Sequence, residues 1–419
     1  MKYLLLSLAL FCIFIPMLSG EFQFDDHYNI TQREGDGRNN HRILQNGINI
    51  LLYKVYGTNP IPYHLVSLFF HIGVCCVLVA LCEELGVNQW AVVLYAVHPV
   101  IAGTASYIIQ SSVIMATFYC LLALLLYLQK RYVWCALSWI VACYCKEIAW
   151  QFPLVIFAWE WSARKRNPWM LGTVILGEIA GICYMFHVGA WDRWNLHFNM
   201  AERMATEGRV LFSYWGKILC PHTGNLTINA DTIVTSDLFI LYFFVLICLV
   251  AFMFSNRIWS FAILCFCFLN IGESTFMSLE LAFEHRLYMP LAFMVPAFAT
   301  IQISKRTFTA FLVWYLALCF WYQGLWRSEY KMWKHCVKLT PNCPRANMNY
   351  ARQLASNREF GLALVYYRRG MKCYPKHGGC WQTWIQSDMN KHGAVFLADT
   401  FLFIKNTGKH GWEWNASTD

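Results

Sequence analysis

The chain has 419 residues, 58% hydrophobic and 17% aromatic but only 14% charged, against roughly 25% charged residues in ordinary soluble domains. That balance excludes a soluble domain and predicts an all-α, polytopic membrane protein, because apolar windows near the ~20 residues of a spanning helix recur along most of the chain. The formal charge of +9 does not imply a nucleic-acid partner, since Lys and Arg fall in short gaps between apolar runs rather than on one basic stripe.

In chain order, about eleven spans are expected: 3–20, 61–82, 89–109, 111–128, 132–145, 147–161, 168–188, 237–254, 258–279, 287–303 and 307–323. The first follows Lys2 and ends in Leu18-Ser19-Gly20, which is also compatible with a cleaved signal peptide. Either case leaves residue 21 on the non-cytoplasmic side. The gaps then assigned to the cytoplasm hold Lys130-Arg131, Arg164-Lys165-Arg166, Arg257 and Lys305-Arg306, the bias of the positive-inside rule. Two long outer loops follow, 21–60 and 189–236. The first contains an amphipathic run, Ile43 to Tyr56, suited to a helix along the membrane interface or packed on the domain. His98-Pro99 should kink or interrupt the third span.

Residues 1–323 thus form a transmembrane domain and 324–419 a helical tail on the outer side. In the tail Trp333, Tyr367 and Phe401 recur every 34 residues, as do Pro341 and Pro375, and Ala363 lies four before Tyr367. This is tetratricopeptide spacing, with Asn347–Pro375 as one good repeat. Of the eighteen cysteines, most lie in apolar runs as small buried hydrophobes. Cys336, Cys343, Cys373 and Cys380 lie outside them and could pair in an oxidising compartment. Sequons at Asn29, Asn225 and Asn415 all fall outside in this topology.

Charged chemistry gathers on that outer face. Asp25 and Asp26, directly after the first span, could take a proton from a hydroxyl, hold a divalent metal, or simply open a polar loop. Lys146-Glu147 sits between two apolar runs. At helix-centre depth such a charge costs about 2.5–3.5 kcal/mol, so it is either a phosphate ligand or an interfacial turn with a snorkelling Lys. Glu284-His285-Arg286, beside Tyr288, could bind a phosphate through charge-assisted hydrogen bonds or anchor a lipid headgroup. His64, His71 and His98 fall in or near spans, where a histidine bonded to a backbone carbonyl is the simpler reading. There is no Gly-rich phosphate loop, nucleophile elbow or HExxH.

Taken together, Phe24-Asp25-Asp26, Pro62-Tyr63-His64-Leu65 leading to His71, His98-Pro99 followed by Tyr107-Ile108-Ile109-Gln110, Lys146-Glu147 with Pro153, and Glu284-His285-Arg286-Leu287-Tyr288-Met289-Pro290 resemble the multi-spanning GT-C glycosyltransferases that carry tetratricopeptide repeats, including the animal transmembrane-and-repeat O-mannosyltransferases and their bacterial relatives. The resemblance implies transfer of a sugar from a polyprenyl-phosphate donor to an acceptor hydroxyl, with a protein acceptor presented by the repeat tail. Asp25 or Asp26 would be the catalytic acid of the first outer loop, and the metal, if any, would sit there. Lys146, Glu147, Glu284, His285, Arg286 and Tyr288 would meet the donor phosphate or line the cavity, with His64, His98 and Gln110 as further lining. Ser111 stands where relatives usually have Arg, and Ser67 where they have Asn. A bacterial inner membrane is expected, with the endoplasmic reticulum as the alternative. A lipid-linked glycan ligase or polymerase, a transporter or flippase, and a non-catalytic scaffold are the rival functions.

Overall fold

A computed structural model of the chain describes residues 1–31, 42–163, 200–228, 256–274 and 281–373, with isolated positions at 172, 176, 177, 179, 181, 183 and 247. The expected spans 168–188 and 237–254, Asn415, Cys380 and the later part of the tail lie outside these residues. Everything described is helix and connecting turn, without strands. The helices are α1 (Lys2–Phe14), α2 (Ile43–Tyr56), α3 (Ile61–Glu84), α4 (Trp90–Ala96), α5 (Pro99–Ser106), α6 (Ser111–Leu128), α7 (Tyr132–Cys143), α8 (Phe152–Ser162), α9 (Met200–Leu219), α10 (Arg257–Ser274), α11 (Tyr288–Phe298), α12 (Lys305–Trp326), α13 (Glu329–Leu339), α14 (Pro344–Ser356) and α15 (Phe360–Cys373). The chain divides into two compact units, Met1–Leu339 and Thr340–Asp419, so α13 belongs to the first.

Among the described residues, four helical stretches are long and apolar enough to cross a membrane: Lys2–Ser19, Ile61–Glu84, Ile108–Leu128 and Lys305–Trp326. Other expected spans are interrupted, and proline is the common cause. The run 89–109 breaks at Val97-His98, where Pro99 cannot continue the helix and the His98 ring accepts the Val100 N–H to start α5. The runs 147–161 and 287–303 begin as 3-10 turns, Glu147–Gln151 and Glu284–Leu287, ahead of helices that contain Pro153, Pro290 and Pro296. Within the second expected outer segment, residues 200–219 form the 20-residue helix α9, which the sequence reading did not anticipate. Its pattern is amphipathic, burying Val210, Leu211, Tyr214 and Ile218.

In the first unit successive helices run between two ends. At one end Lys2 and Tyr3 both reach Glu83, and Asn88, Asn256 and Ser304 accept the first N–H groups of α4, α10 and α12. Arg257 stacks over Trp159 at 3.8 Å there. The opposite end carries residues 20–27, 42–45, 107–111, 144–147, 283–287 and 326–329. α1 is part of this packing: Phe14 is fully buried and meets His71 edge to face at 5.1 Å.

α5 and α12 approach closely because Gly103 has no side chain. A Cβ there would lie 2.4 Å from Tyr322 Cε1 and 3.1 Å from Trp326 Nε1. Gly103→Ala is expected to cost about 1–3 kcal/mol through overpacking and to lower the melting temperature of the detergent-solubilised protein. An unchanged melt would mean that α12 can shift freely.

The second unit begins with the hairpin α14–α15. Ala363 and Tyr367, the repeat-spaced pair, are buried in it. Gly370 lets the two helices close, since a Cβ there would sit 2.9 Å from Met348 Sδ and 3.2 Å from the Pro344 carbonyl.

Candidate functional site

The acidic loop leaves α1 through the 3-10 turn Ile15–Ser19 and is held from three sides. The His64 ring meets the Gly20 carbonyl at 3.2 Å. Gln23 donates from Nε2 to the Trp326 carbonyl at 2.6 Å. Phe24 sits at φ +46°, a region that costs a bulky side chain about 1–3 kcal/mol, and its N–H donates to Glu329 at 3.2 Å.

This backbone separates the two acids, which the sequence leaves equivalent. Asp26 is fully buried, and its two carboxylate oxygens accept the N–H groups of Gln23 at 2.9 Å and Ile109 at 2.7 Å. Burial pushes its carboxyl well above the usual range, although those two donors oppose the shift. Asp26 is therefore the pin that joins the loop to residues 107–111. Asp25 is exposed, and its N–H donates to the Tyr107 hydroxyl at 3.3 Å, while the carboxylate itself also bonds that hydroxyl. Of the two acids only Asp25 is open to solvent.

Tyr107 also leads to the cations. Its ring is 6.4 Å from the ring of His285, centre to centre. Burial pushes the His285 imidazole well below its ordinary value, and the neighbouring Lys146, Arg286 and Arg42 charges push it further. His285 is thus a neutral hydrogen-bonding ring among three cations. Lys146 is buried and donates to Gln110 Oε1 at 2.7 Å. Arg286 is buried, donates to the Leu281 carbonyl at 3.0 Å and lies 6.0 Å from the Phe283 ring. Arg42 forks onto Glu147 at 2.9 and 3.1 Å. Glu147 thus orients Arg42. α2 holds this corner through Gln45, which donates to the Ile109 carbonyl at 2.5 Å, while Ile50, Leu51, Val55 and Tyr56 are exposed.

No family model, curated protein or solved structure matches this chain. Its chemistry therefore has to be read from these side chains themselves. Asp25, Asp26, Gln110, Lys146, Glu147, His285 and Arg286 come together at one end of the first unit.

The remaining expected residues have supporting positions. Glu284 is the hub of a buried clamp, accepting from Lys217 Nζ at 2.5 Å, the Thr227 N–H at 2.6 Å and the Tyr322 hydroxyl at 2.5 Å. Together with Tyr214, whose hydroxyl bonds both the carbonyl and the N–H of Phe283, it fixes the turn that presents His285 and Arg286. Tyr288 points into the bundle, where its hydroxyl meets His71 at 2.7 Å. His98 holds the α9 terminus by its bond to the Ile218 carbonyl at 3.2 Å. Ser111 lies 3.4 Å from Gln45, and Ser67 is fully buried.

Among the described residues no group of three or more His, Cys, Asp or Glu side chains is arranged to hold a metal. Cys336 and Cys343 are not joined to each other by a disulfide, and the side chain of Cys373 lies outside the described residues. Arg42, Tyr107, Lys217 and Glu329 are the functional candidates that sequence reading missed. Tyr107 stands in a quoted motif but was given no role, and the other three carry no local signal.

Proposed function

We propose that this protein is a membrane glycosyltransferase of GT-C type, moving a sugar from a polyprenyl-phosphate carrier to an acceptor hydroxyl on the non-cytoplasmic side. One observation carries the reading: an exposed carboxylate, Asp25, is joined through Tyr107 to a group of cations, the buried Lys146 and Arg286 and the half-buried Arg42, around a neutral His285. Glycosyl transfer from a lipid phosphate needs a base for the incoming hydroxyl and positive charge for the departing phosphate.

Asp25 accepts the acceptor's proton as its oxygen bonds to the anomeric carbon. The bond from that carbon to the phosphate oxygen breaks on the opposite side, with inversion. The electron pair leaves on the lipid phosphate, held by Arg286, Lys146 and Arg42, while His285 contributes a hydrogen bond. The apolar helices give the carrier's tail a membrane path to this end, and about eleven spans, counting those outside the described residues, complete the bundle. The repeat-spaced tail favours a protein acceptor. The cytoplasmic Lys and Arg gaps suit a bacterial inner membrane or the endoplasmic reticulum equally.

Arg286→Gln is expected to lower turnover about 10²–10³-fold by removing charge where charge develops. The deciding experiment compares intact masses of envelope proteins and glycans from cells expressing the chain and an Asp25→Asn variant at equal level. A hexose-sized increment lost in the variant supports the transferase. A chain-sized increment means a lipid-linked glycan ligase, and identical masses in both exclude transfer in favour of a transporter or scaffold.

A further inference from the structure

The acidic loop has no helix of its own until residue 25, and the residue just before it, Phe24, adopts a left-handed backbone unusual for an aromatic side chain. Such a conformation persists only where its surroundings over-determine it. Its surroundings are concentrated on the junction of α12 and α13.

We infer that Glu329, the first residue of α13, is a positioning residue that clasps the acidic loop and sets Asp25 against the cations. This rests on the transferase reading given above, but its structural half stands by itself. Glu329 Oε1 accepts the Phe24 N–H at 3.2 Å and the Trp333 indole N–H at 3.3 Å. Its Oε2 pairs with His27 at 3.4 Å. The clasp is reciprocal, since the Glu329 N–H donates to Glu21 Oε1 at 2.7 Å, so a loop carboxylate satisfies an orphan donor at the helix start. Phe24 packs edge to face on Trp333 at 5.5 Å, and Gln23 holds the Trp326 carbonyl one turn earlier.

Residues on both sides of Asp25 are thus fixed by one carboxylate, Phe24 through its amide and His27 through its ring. Burial pushes the Glu329 carboxyl up, but the His27, Trp333 and Phe24 donors outweigh burial and hold it below the usual range. It is ionised at neutral pH, as a clasp built on N–H donors requires. Asp25 meets Tyr107 through both its N–H and its carboxylate. Glu329 acts on the chemistry through the loop that carries Asp25.

The test uses the full-length protein in detergent and in expressing cells, with two substitutions. Glu329→Leu removes all acceptors. Glu329→Gln keeps an amide oxygen for Phe24 and Trp333 and loses only the charge toward His27. Amide hydrogen exchange over residues 21–31 is expected to speed up about tenfold or more in Glu329→Leu, from the loss of several hydrogen bonds of about 1 kcal/mol each. α3 and α6 should exchange as in the wild type, and Glu329→Gln should stay close to it.

The hexose increment on envelope proteins should fall about tenfold or more in Glu329→Leu and be largely rescued in Glu329→Gln, following the loop. If Glu329→Leu keeps both the protection of 21–31 and the increment, the inference is overturned. Global exchange in both variants would also overturn it, because Glu329 would then be holding the fold rather than the loop. If the wild type adds no sugar while the exchange result stands, the transferase reading fails and the clasp does not.

Discussion

Asp25→Asn is expected to lower sugar transfer about 10²–10⁴-fold, the usual worth of a positioned general base, and to leave the melting temperature within about 2 °C, as for an exposed substitution worth at most about 0.5 kcal/mol. The neighbouring acid should behave in the opposite way. Asp26→Leu strips the acceptor from two N–H groups, those of Gln23 and Ile109, each costing about 1–3 kcal/mol when buried without a partner. Its first effect is therefore on stability and on the seating of the loop. Rate and melting measured on both variants separate the roles. Equal kinetic losses with unchanged melts in both would show that the acids act as a pair, and an active Asp25→Asn protein would remove the base from the proposed mechanism.

Lys217→Met is expected to destabilise the protein by about 3–5 kcal/mol, because it leaves the Glu284 carboxylate buried without its cation. Lys217 and Glu284 side chains are only 8% and 6% exposed, so water does not replace the lost partner. Tyr322 and Thr227 still donate to Glu284, but neither carries charge. The double variant Lys217→Met, Glu284→Gln should recover most of the loss, since no isolated charge remains. Chemical denaturation or thermal melting of the solubilised protein reads both, and a single variant as stable as the wild type would mean that the clamp contributes nothing net. Activity should fall with stability, because the same clamp fixes the turn holding His285 and Arg286.

Much of the helical framework was legible from residues alone. α2 occupies Ile43–Tyr56 and α6 occupies Ser111–Leu128, as their apolar patterns and flanking polar residues demand. The break at His98-Pro99 followed from proline's missing N–H. The segment 189–236 was read as a loop because its mean polarity is high, yet an amphipathic helix can be polar on average and still bury one face, and α9 does so.

The site was legible only as far as residue type goes. Asp25, Lys146 and Arg286 announce themselves as charges beside apolar runs. What a charge does depends on partners far along the chain, and no local pattern carries that. Glu284 looks like a site acid from its neighbours His285 and Arg286, but Lys217 and Tyr322 engage it. Asp25 and Asp26 are adjacent and chemically alike, and only the backbone at Phe24 and the N–H of Ile109 decide which one faces outward.

The acidic loop and its clasp are 305 residues apart in sequence. A membrane chain is threaded into the bilayer from its N-terminus during synthesis, at about 5–20 residues per second, so Asp25 is made among the first residues while Glu329 arrives after the last of the long apolar helices among the described residues. For most of the chain's birth the acidic loop has no seat. On the proposed transferase reading, nascent fragments would have no transfer activity, and a premature stop before residue 329 would yield a product that inserts but stays chemically silent. The clasp would then act as a checkpoint on completed translation.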